Sequence, residues 1–253
     1  MGIRSSLDVG GSVLASTARY WRGTNARPAA RQPEQVLELY EFEGCPFCRL
    51  VREALTELDL DAMIYPCPAR GKRFRPGVVE MGGKALFPYL VDPNTGMAMY
   101  ESADIIDYLY ETYGGRKAPT RAIRSLEVTT SGLTSAVRAA AGTRAHASRA
   151  AEKPLELFSF ESSPYSRRVR ERLSELEIPY LLHNTGKAMA QDLGPPWVRA
   201  RLFPDLPVKG RNRLALLERA GRVQVPYLVD PNTGTEMFES DQILDYLNQT
   251  YAA

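Results

Sequence analysis

Nine consecutive residues, Pro88-Tyr89-Leu90-Val91-Asp92-Pro93-Asn94-Thr95-Gly96, recur letter for letter as Pro226 to Gly234. An identity of that length in matched context marks an internal duplication, and it restricts the chain to folds built from two like units. Earlier in each unit, Leu37 to Phe42 aligns with Leu155 to Phe160 at a spacing of 118. The same spacing lays Cys45-Pro46-Phe47-Cys48-Arg49 on Ser163-Pro164-Tyr165-Ser166-Arg167, and further on Glu101-Ser102 returns as Glu239-Ser240. Upstream, Ser6-Leu7-Asp8-Val9 matches Ser125-Leu126-Glu127-Val128 at a spacing of 119. Each unit therefore carries a leader of weak helical character. The expected division is a leader over 1–35, a body over 36–113, a second leader over 114–153 and a second body over 154–253. By the second copy of the nine residues the spacing has widened to 138, which places an insertion at about 186–209. It holds Pro195, Pro196, Trp197, Pro204 and Pro207, and reads as a structured loop, either a cover over the second unit or a packing element.

The patterns in unit one predict strand (36–42), helix (46–58), strand (62–65), short helix (about 76–82), strand (89–91), strand (97–100) and helix (102–113). Unit two repeats this order. The helix after Cys45 is clearest, because Phe47, Leu50, Val51, Ala54, Leu55 and Leu58 form one stripe. Asp92-Pro93-Asn94-Thr95-Gly96 is turn chemistry between two strands, and Ser102 suits a helix N-cap. The order predicts a mixed sheet with helices on its faces, an α/β fold.

A net charge of +2 over 253 residues gives no electrostatic case for nucleic acid or an anionic membrane, and no apolar run approaches a bilayer span of about 20 residues. Three cysteines fit a reducing compartment, so a cytoplasmic location is expected. The first 35 residues are rich in Arg, Ser and Ala, which leaves a plastid targeting segment as the alternative. Met1-Gly2 with Ser6 also fits the loose myristoylation pattern. The leader repeat argues that residues 6–24 belong to the folded protein.

Cys45 and Cys48 form a C-x-x-C between a strand and a helix. Pro46 suits the first helical position, which leaves Cys45 at the N-cap, where free N–H groups and the helix dipole favour negative charge. A thiol there is a thiolate candidate, and Cys48, one turn on, can attack a mixed disulfide formed at Cys45. Two other readings stay open. Half a zinc site would need about four ligands, and Cys67, His146 and His183 supply no matching spacing. Both thiols can also be plain buried residues. Cys67 reads as structural in a Pro-flanked turn, His183 as a strand-end residue, and Arg167, Arg168, Arg170 and Arg172 as a solvated or acid-paired face.

CPFC at the first helix, a proline before the third strand and Glu-Ser opening the last helix resemble glutaredoxins and the N-terminal domain of glutathione S-transferases. The CPFC-R-x-V-R string is most similar to omega-class transferases, and the doubling resembles tandem transferase N-terminal domain proteins. The resemblance implies two tandem thioredoxin-like domains, βαβαββα each. Transferases of this kind also carry an all-helical C-terminal domain, and here the expectation departs from the family, because neither repeat is followed by enough chain to build one. It implies glutathione as ligand, Cys45 as nucleophile and Cys48 as resolving thiol. Pro88 would be cis and leave the Phe87 backbone free to pair with glutathione. Glu101 and Ser102 would hold the γ-glutamyl end, and Arg70, Lys72 or Arg73 the glycine carboxylate. In unit two, Ser163, Val225, Pro226, Glu239 and Ser240 would frame a possible second site, or a degenerate one kept for packing.

The expected function is glutathione-dependent thiol–disulfide exchange in unit one on a thiol or disulfide substrate, with unit two redox-inactive in an intramolecular pseudo-dimer. The alternatives are transferase activity at Ser163 or Cys45, a non-catalytic glutathione-binding or scaffold protein, and an iron–sulfur carrier.

Overall fold

The structure is a computed structural model that describes residues 3–138, 141–189, 192, 201–202 and 206–253. Most of the insertion expected at about 186–209, including Pro195, Pro196, Trp197 and Pro204, lies outside the described residues. The chain runs α1 (Ile3–Ala18), β1 (Leu37–Glu41), α2 (Pro46–Leu58), β2 (Ala62–Pro66), α3 (Arg75–Gly82), β3 (Tyr89–Asp92), β4 (Met97–Met99), α4 (Ser102–Leu109) and α5 (Arg121–Val137). It continues with β5 (Leu155–Ser159), α6 (Pro164–Glu175), β6 (Tyr180–Asn184), α7 (Arg211–Ala220), β7 (Tyr227–Asp230), β8 (Thr235–Phe238) and α8 (Ser240–Tyr251). These are two thioredoxin-like units in tandem. No helix among the described residues is long and apolar enough to cross a membrane.

The two units share one sheet. Within the first, β1 and β2 are parallel, β3 returns antiparallel beside β1, and β4 pairs with β3. The second repeats this pattern. β2 alone would present an open edge of unpaired backbone groups. It pairs antiparallel with β6, Met63 opposite Leu181, so the described strands form one eight-stranded sheet ordered β4-β3-β1-β2-β6-β5-β7-β8. A pseudo-two-fold axis passes between β2 and β6. One apolar cluster spans both halves, from Leu37, Val51 and Ile105 to Leu155, Val169 and Ile243.

The leaders cross over. α1 lies on α6 of the second unit, α5 lies on α2 of the first, and the two leaders pack on each other. Their inner faces carry hydroxyls. Ser131 Oγ donates to Pro46 O at 2.8 Å, and its counterpart Ser12 Oγ donates to Pro164 O at 2.8 Å. Arg49 Nη1 returns a bond to Ser131 O, and Arg167 Nη1 to Ser12 O, each at 2.7 Å. Ser12, Ser16, Ser131 and Thr134 are fully buried. Helices that dock through small hydroxyl side chains show little apolar stripe, which is why the leaders read as weakly helical.

An ion cluster occupies the axis. Arg52 pairs with Glu41, with Glu43 at 3.1 Å and with Glu161 at 2.9 Å. Its counterpart Arg170 takes Glu43 and Glu161 at 3.0 Å each. Arg19–Glu53 and Arg138–Glu171 flank it at 2.5 and 2.6 Å. Of the expected arginine face, Arg167 and Arg170 are buried, Arg168 pairs with Asp8 and Asp241, and Arg172 pairs with Glu175. The face is acid-paired at Arg168, Arg170 and Arg172, and Arg167 instead bonds Ser12 and Ser16 of α1.

The repeated nonapeptide has a second job beyond turning the chain. Asp92 is fully buried and accepts the hydroxyls of Tyr108 and Tyr113, each at 2.5 Å, and the amide of Asn94. Asp230 does the same with Tyr246, Tyr251 and Asn232. In the first unit, α4 stops at Leu109 and widens into a π turn over Tyr110–Gly114, short of the single helix to residue 113 expected from sequence. That wider turn is where Tyr113 reaches Asp92. His183 lies inside β6, stacked on Phe158 and paired with Asp61 and Glu156, one residue short of the strand end.

Candidate active site

Sheet polarity gathers the first unit's candidate residues. β1 and β4 run one way and β3 runs the other. The turn after β1, the residues before β3 and the residues after β4 therefore meet at one edge. They carry Cys45, Phe87-Pro88 and Glu101-Ser102. The Phe87–Pro88 peptide bond is cis, as is Val225–Pro226.

Cys45 caps α2. Its backbone is extended (φ −73°, ψ 122°), Pro46 follows at the first helical position, and Cys45 Sγ accepts the Cys48 N–H at 3.3 Å. The Phe87 carbonyl lies 4.0 Å from the same sulfur. A hydrogen bond from the Cys48 side chain is the largest influence on the Cys45 thiol. Burial opposes it, and the Cys48 and Phe47 N–H groups and the Arg52 charge add to it, so the thiol ends below its ordinary value. Cys48 goes the other way. Burial, then the hydrogen bond and charge of Cys45, then Glu41, hold it well above the usual thiol range. The pair is polarised into one acidic and one retained thiol.

The site is closely packed. Cys45 is 3 % exposed and Cys48 is fully covered, in a cluster with Cys67, Val78, Phe87 and Tyr89. Cys67 is buried there and its thiol is pushed up by burial, in line with a structural residue. Tyr100 lies on Tyr89 with ring centres 4.4 Å apart, which ties the start of α4 to the cluster.

Ser102 does not cap α4. Glu101 takes the N-cap position in the left-handed region (φ 65°) without a side-chain capping bond, and Ser102 is the first helical residue, buried. Glu239 repeats this geometry (φ 68°) ahead of Ser240. A positive φ at glutamate is a strained arrangement kept in both units. It exposes the Glu101 side chain.

Arg73 is already committed. It bonds Leu176 O and Ser148 O at 2.6 Å each, closing the end of α6, so it is not available for a carboxylate. Arg70 and Lys72 are exposed. The base that stands at the site is Arg75, which sequence reasoning missed. Its guanidinium lies 4.7 Å from the Phe87 ring centre and is steadied by Cys67 O at 2.9 Å. Its place at the start of α3, over the Phe87 ring, is set by tertiary packing and carries no local signal.

The second unit keeps the frame and engages part of it. Ser163 caps α6 and accepts the Ser166 N–H at 3.3 Å. Ser166 Oγ is buried without a partner where the first unit has Cys48. Ser240 Oγ accepts from Arg168 at 3.2 Å, Arg168 also bonds Asp241, and Ser5 bonds Asp241. Glu239 accepts from Gln224 at 2.6 Å. Of the groups expected to receive a ligand, Glu239 and Ser240 are held by the chain's own side chains.

The profile of glutathione S-transferase N-terminal domains matches residues 39–117 and again 157–253. The chain belongs to this family. Among solved structures, this transferase-family chain matches a Bombyx mori glutathione transferase at 28% identity, covering 34% of this chain and 39% of that one, with a TM-score of 0.29. A delta-class glutathione transferase of Nilaparvata lugens matches at 26% identity, over 31% of this chain and 36% of that one, TM-score 0.26. A trimeric glutathione transferase of Leishmania matches at 12% identity, over 87% and 68%, TM-score 0.29. The chain thus spans about two fifths of the length of the first two proteins. No curated protein matches it. Among the described residues of this transferase-family chain, no group of three or more His, Cys, Asp or Glu is arranged to hold a metal ion.

Proposed function

We propose that the first transferase repeat is a glutathione-dependent thiol–disulfide exchange site and that the second is its redox-inactive counterpart. One observation carries the reading: Cys45 Sγ caps α2 and accepts the Cys48 N–H, with its thiol drawn down while Cys48 is held up. Two-cysteine exchange needs that division. The Cys45 thiolate attacks one sulfur of a substrate disulfide and the other sulfur leaves as a thiolate. Cys48 then loses its proton and attacks Cys45, which closes a Cys45–Cys48 disulfide and releases the second substrate thiolate. One glutathione thiolate then attacks Cys45 and frees Cys48, and a second attacks that mixed disulfide, freeing Cys45 and leaving as oxidised glutathione. The residues fit such a ligand: the Phe87 backbone beside the sulfur, an exposed Glu101, and Ser102 at the N-terminus of α4 for a carboxylate.

The same burial favours a second reading. A sulfur 3 % exposed is also what a glutathione-binding or scaffold protein without turnover would show. Ser163, 2 % exposed beside an occupied Ser240, supports transfer chemistry in the second unit less well. Alkylation separates the two readings. An exchange site predicts that iodoacetamide modifies Cys45 at about pH 6 far faster than an ordinary thiol, whereas reaction only above about pH 8 supports the binding protein. Oxidised glutathione should leave a Cys45–glutathione adduct on the Cys48→Ser chain, visible by mass. No adduct would reject the exchange mechanism.

A further inference from the structure

The inner faces of the two leaders hold the halves of the molecule together, and their outer faces are turned to solvent. The exposed residues of α1 are Ser6, Leu7, Gly10, Val13, Leu14 and Thr17. Those of α5, among its described side chains, are Thr129, Leu133, Ala136 and Val137. None of them is charged, in a chain that is 25% Asp, Glu, Lys and Arg. The solvent side of a helix is where charged side chains normally collect. Leu7 is 72 % exposed, Leu14 63 % and Leu133 58 %. One exposed leucine is ordinary, but an uncharged face that runs over two adjoining helices is the mark of a contact surface.

The spacing shows what such a surface fits. Leu7, Gly10, Leu14 and Thr17 follow one another at three, four and three residues, the spacing of a seam that packs on another helix. Thr129, Leu133 and Ala136 repeat the last three places on α5, so large and small residues alternate along both seams. Gly10 is the most informative of them. Glycine weakens a helix interior, and one kept there needs a reason. Its neighbour Gly11 has one inside the chain, because a Cβ there would lie 3.2 Å from Arg138 Nη1. A Cβ on Gly10 would meet no atom of the chain within 4 Å. The notch between Leu7 and Leu14 is therefore shaped for a side chain from outside.

We propose that the outer face of the leaders binds a second copy of this chain, with the leucines of each copy seated over the small residues of the other. The alternation selects this occupant. In a parallel pairing leucine would meet leucine and notch would meet notch. In an antiparallel pairing each leucine drops into a notch, and a two-fold axis across the helices produces that pairing. A two-fold contact brings the same patch of both copies together, so the patch must complement itself. A face without charge, with matched bumps and notches carried by both leaders, does so. The leaders lie outside the two stretches that match the transferase profile, 39–117 and 157–253, so the contact belongs to this chain and not to the domain that it repeats.

Equilibrium sedimentation of the whole chain from about 1 to 100 μM is expected to show a mass that rises from one chain to two. Leu14→Glu combined with Leu133→Glu sets like charges into both seams and should weaken association about a hundredfold or more. Gly10→Leu separates seated packing from general adhesion of apolar surface. It improves the helix and has open space above it, so circular dichroism should show a folded chain. It also makes the face more apolar, yet it fills the notch meant for the partner's leucine and should weaken association about tenfold or more. A wild-type chain that stays single at the highest concentration overturns the proposal. So does a Gly10→Leu chain that associates as tightly as wild type, whatever the double variant does.

Discussion

Ser131 on α5 donates its hydroxyl to the carbonyl of Pro46 on α2, 2.8 Å away. The helix that Cys45 caps is thus held down by the leader of the other unit, and Ser12 repeats the bond to Pro164 across the axis. Whatever the turn at Cys45 does, it does under a contact made from the opposite half of the chain.

That contact is tight at Gly44. A methyl group there would run into the Thr143 hydroxyl and sit 3.0 Å from Ala141 O, both from the segment after α5. Gly44→Ala is expected to destabilise the protein by about 1–3 kcal/mol through overpacking. Urea unfolding reads the change, and a variant as stable as wild type would show that the leader yields there.

Arg52 is fully buried against Glu41, Glu43 and Glu161. Arg52→Met fills similar space but leaves acids in the interior without that partner. The expected loss is about 3–5 kcal/mol, the usual cost of removing one member of a buried ion cluster. A midpoint shift worth less than about 1 kcal/mol would mean that Arg170 and Arg49 take over the charge.

Acid and base act on different members of this cluster. Burial pushes Glu161 up, but Arg170 and Arg52 outweigh it and bring it to about 2, below its ordinary 4.5. Its contribution is present above 4.5 and is lost as the pH falls towards about 2. Glu41 is raised to about 8, so the folded state binds its proton more tightly than the unfolded state. Its contribution is present below 4.5 and is lost as the pH rises towards about 8. Glu41→Gln should therefore lose less stability than wild type between mildly acid and mildly alkaline pH, measured by urea midpoints at each. Equal losses in the two proteins would contradict this.

The hydrogen bond from Cys48 is the largest influence lowering the Cys45 thiol. Cys48→Ala removes that donor and should raise the Cys45 pKa, followed by ultraviolet absorbance of the thiolate. Cys48→Ser keeps a donor and should raise it less. If both variants titrate like wild type, the N–H groups and Arg52 carry the effect.

The sequence made the repeats legible because identity is a local signal. Pro46 after Cys45 and the apolar stripe from Leu50 to Leu58 were likewise enough to place the strand–turn–helix. Non-local choices left no such trace. Nothing near Met63 or Leu181 marks those strands as partners across the axis. Arg49 and Arg167 look like surface residues until Glu161 and the leader carbonyls are seen around them. Ser12, Ser16 and Ser131 suggest a loop or a weak helix, because a hydroxyl that packs against a backbone carbonyl has no periodic apolar signature. Arg75 escaped notice beside Arg70, Lys72 and Arg73 because four bases close together can be told apart only by where each one points.

The crossed leaders give the chain the topology of a homodimer whose two subunits have been joined end to end. In a true homodimer every substitution appears twice, so a change that disables one centre disables both. Joining the copies removes that constraint. One half can keep two thiols and a carboxyl while the other carries serine at all three places and continues to supply its share of the interior.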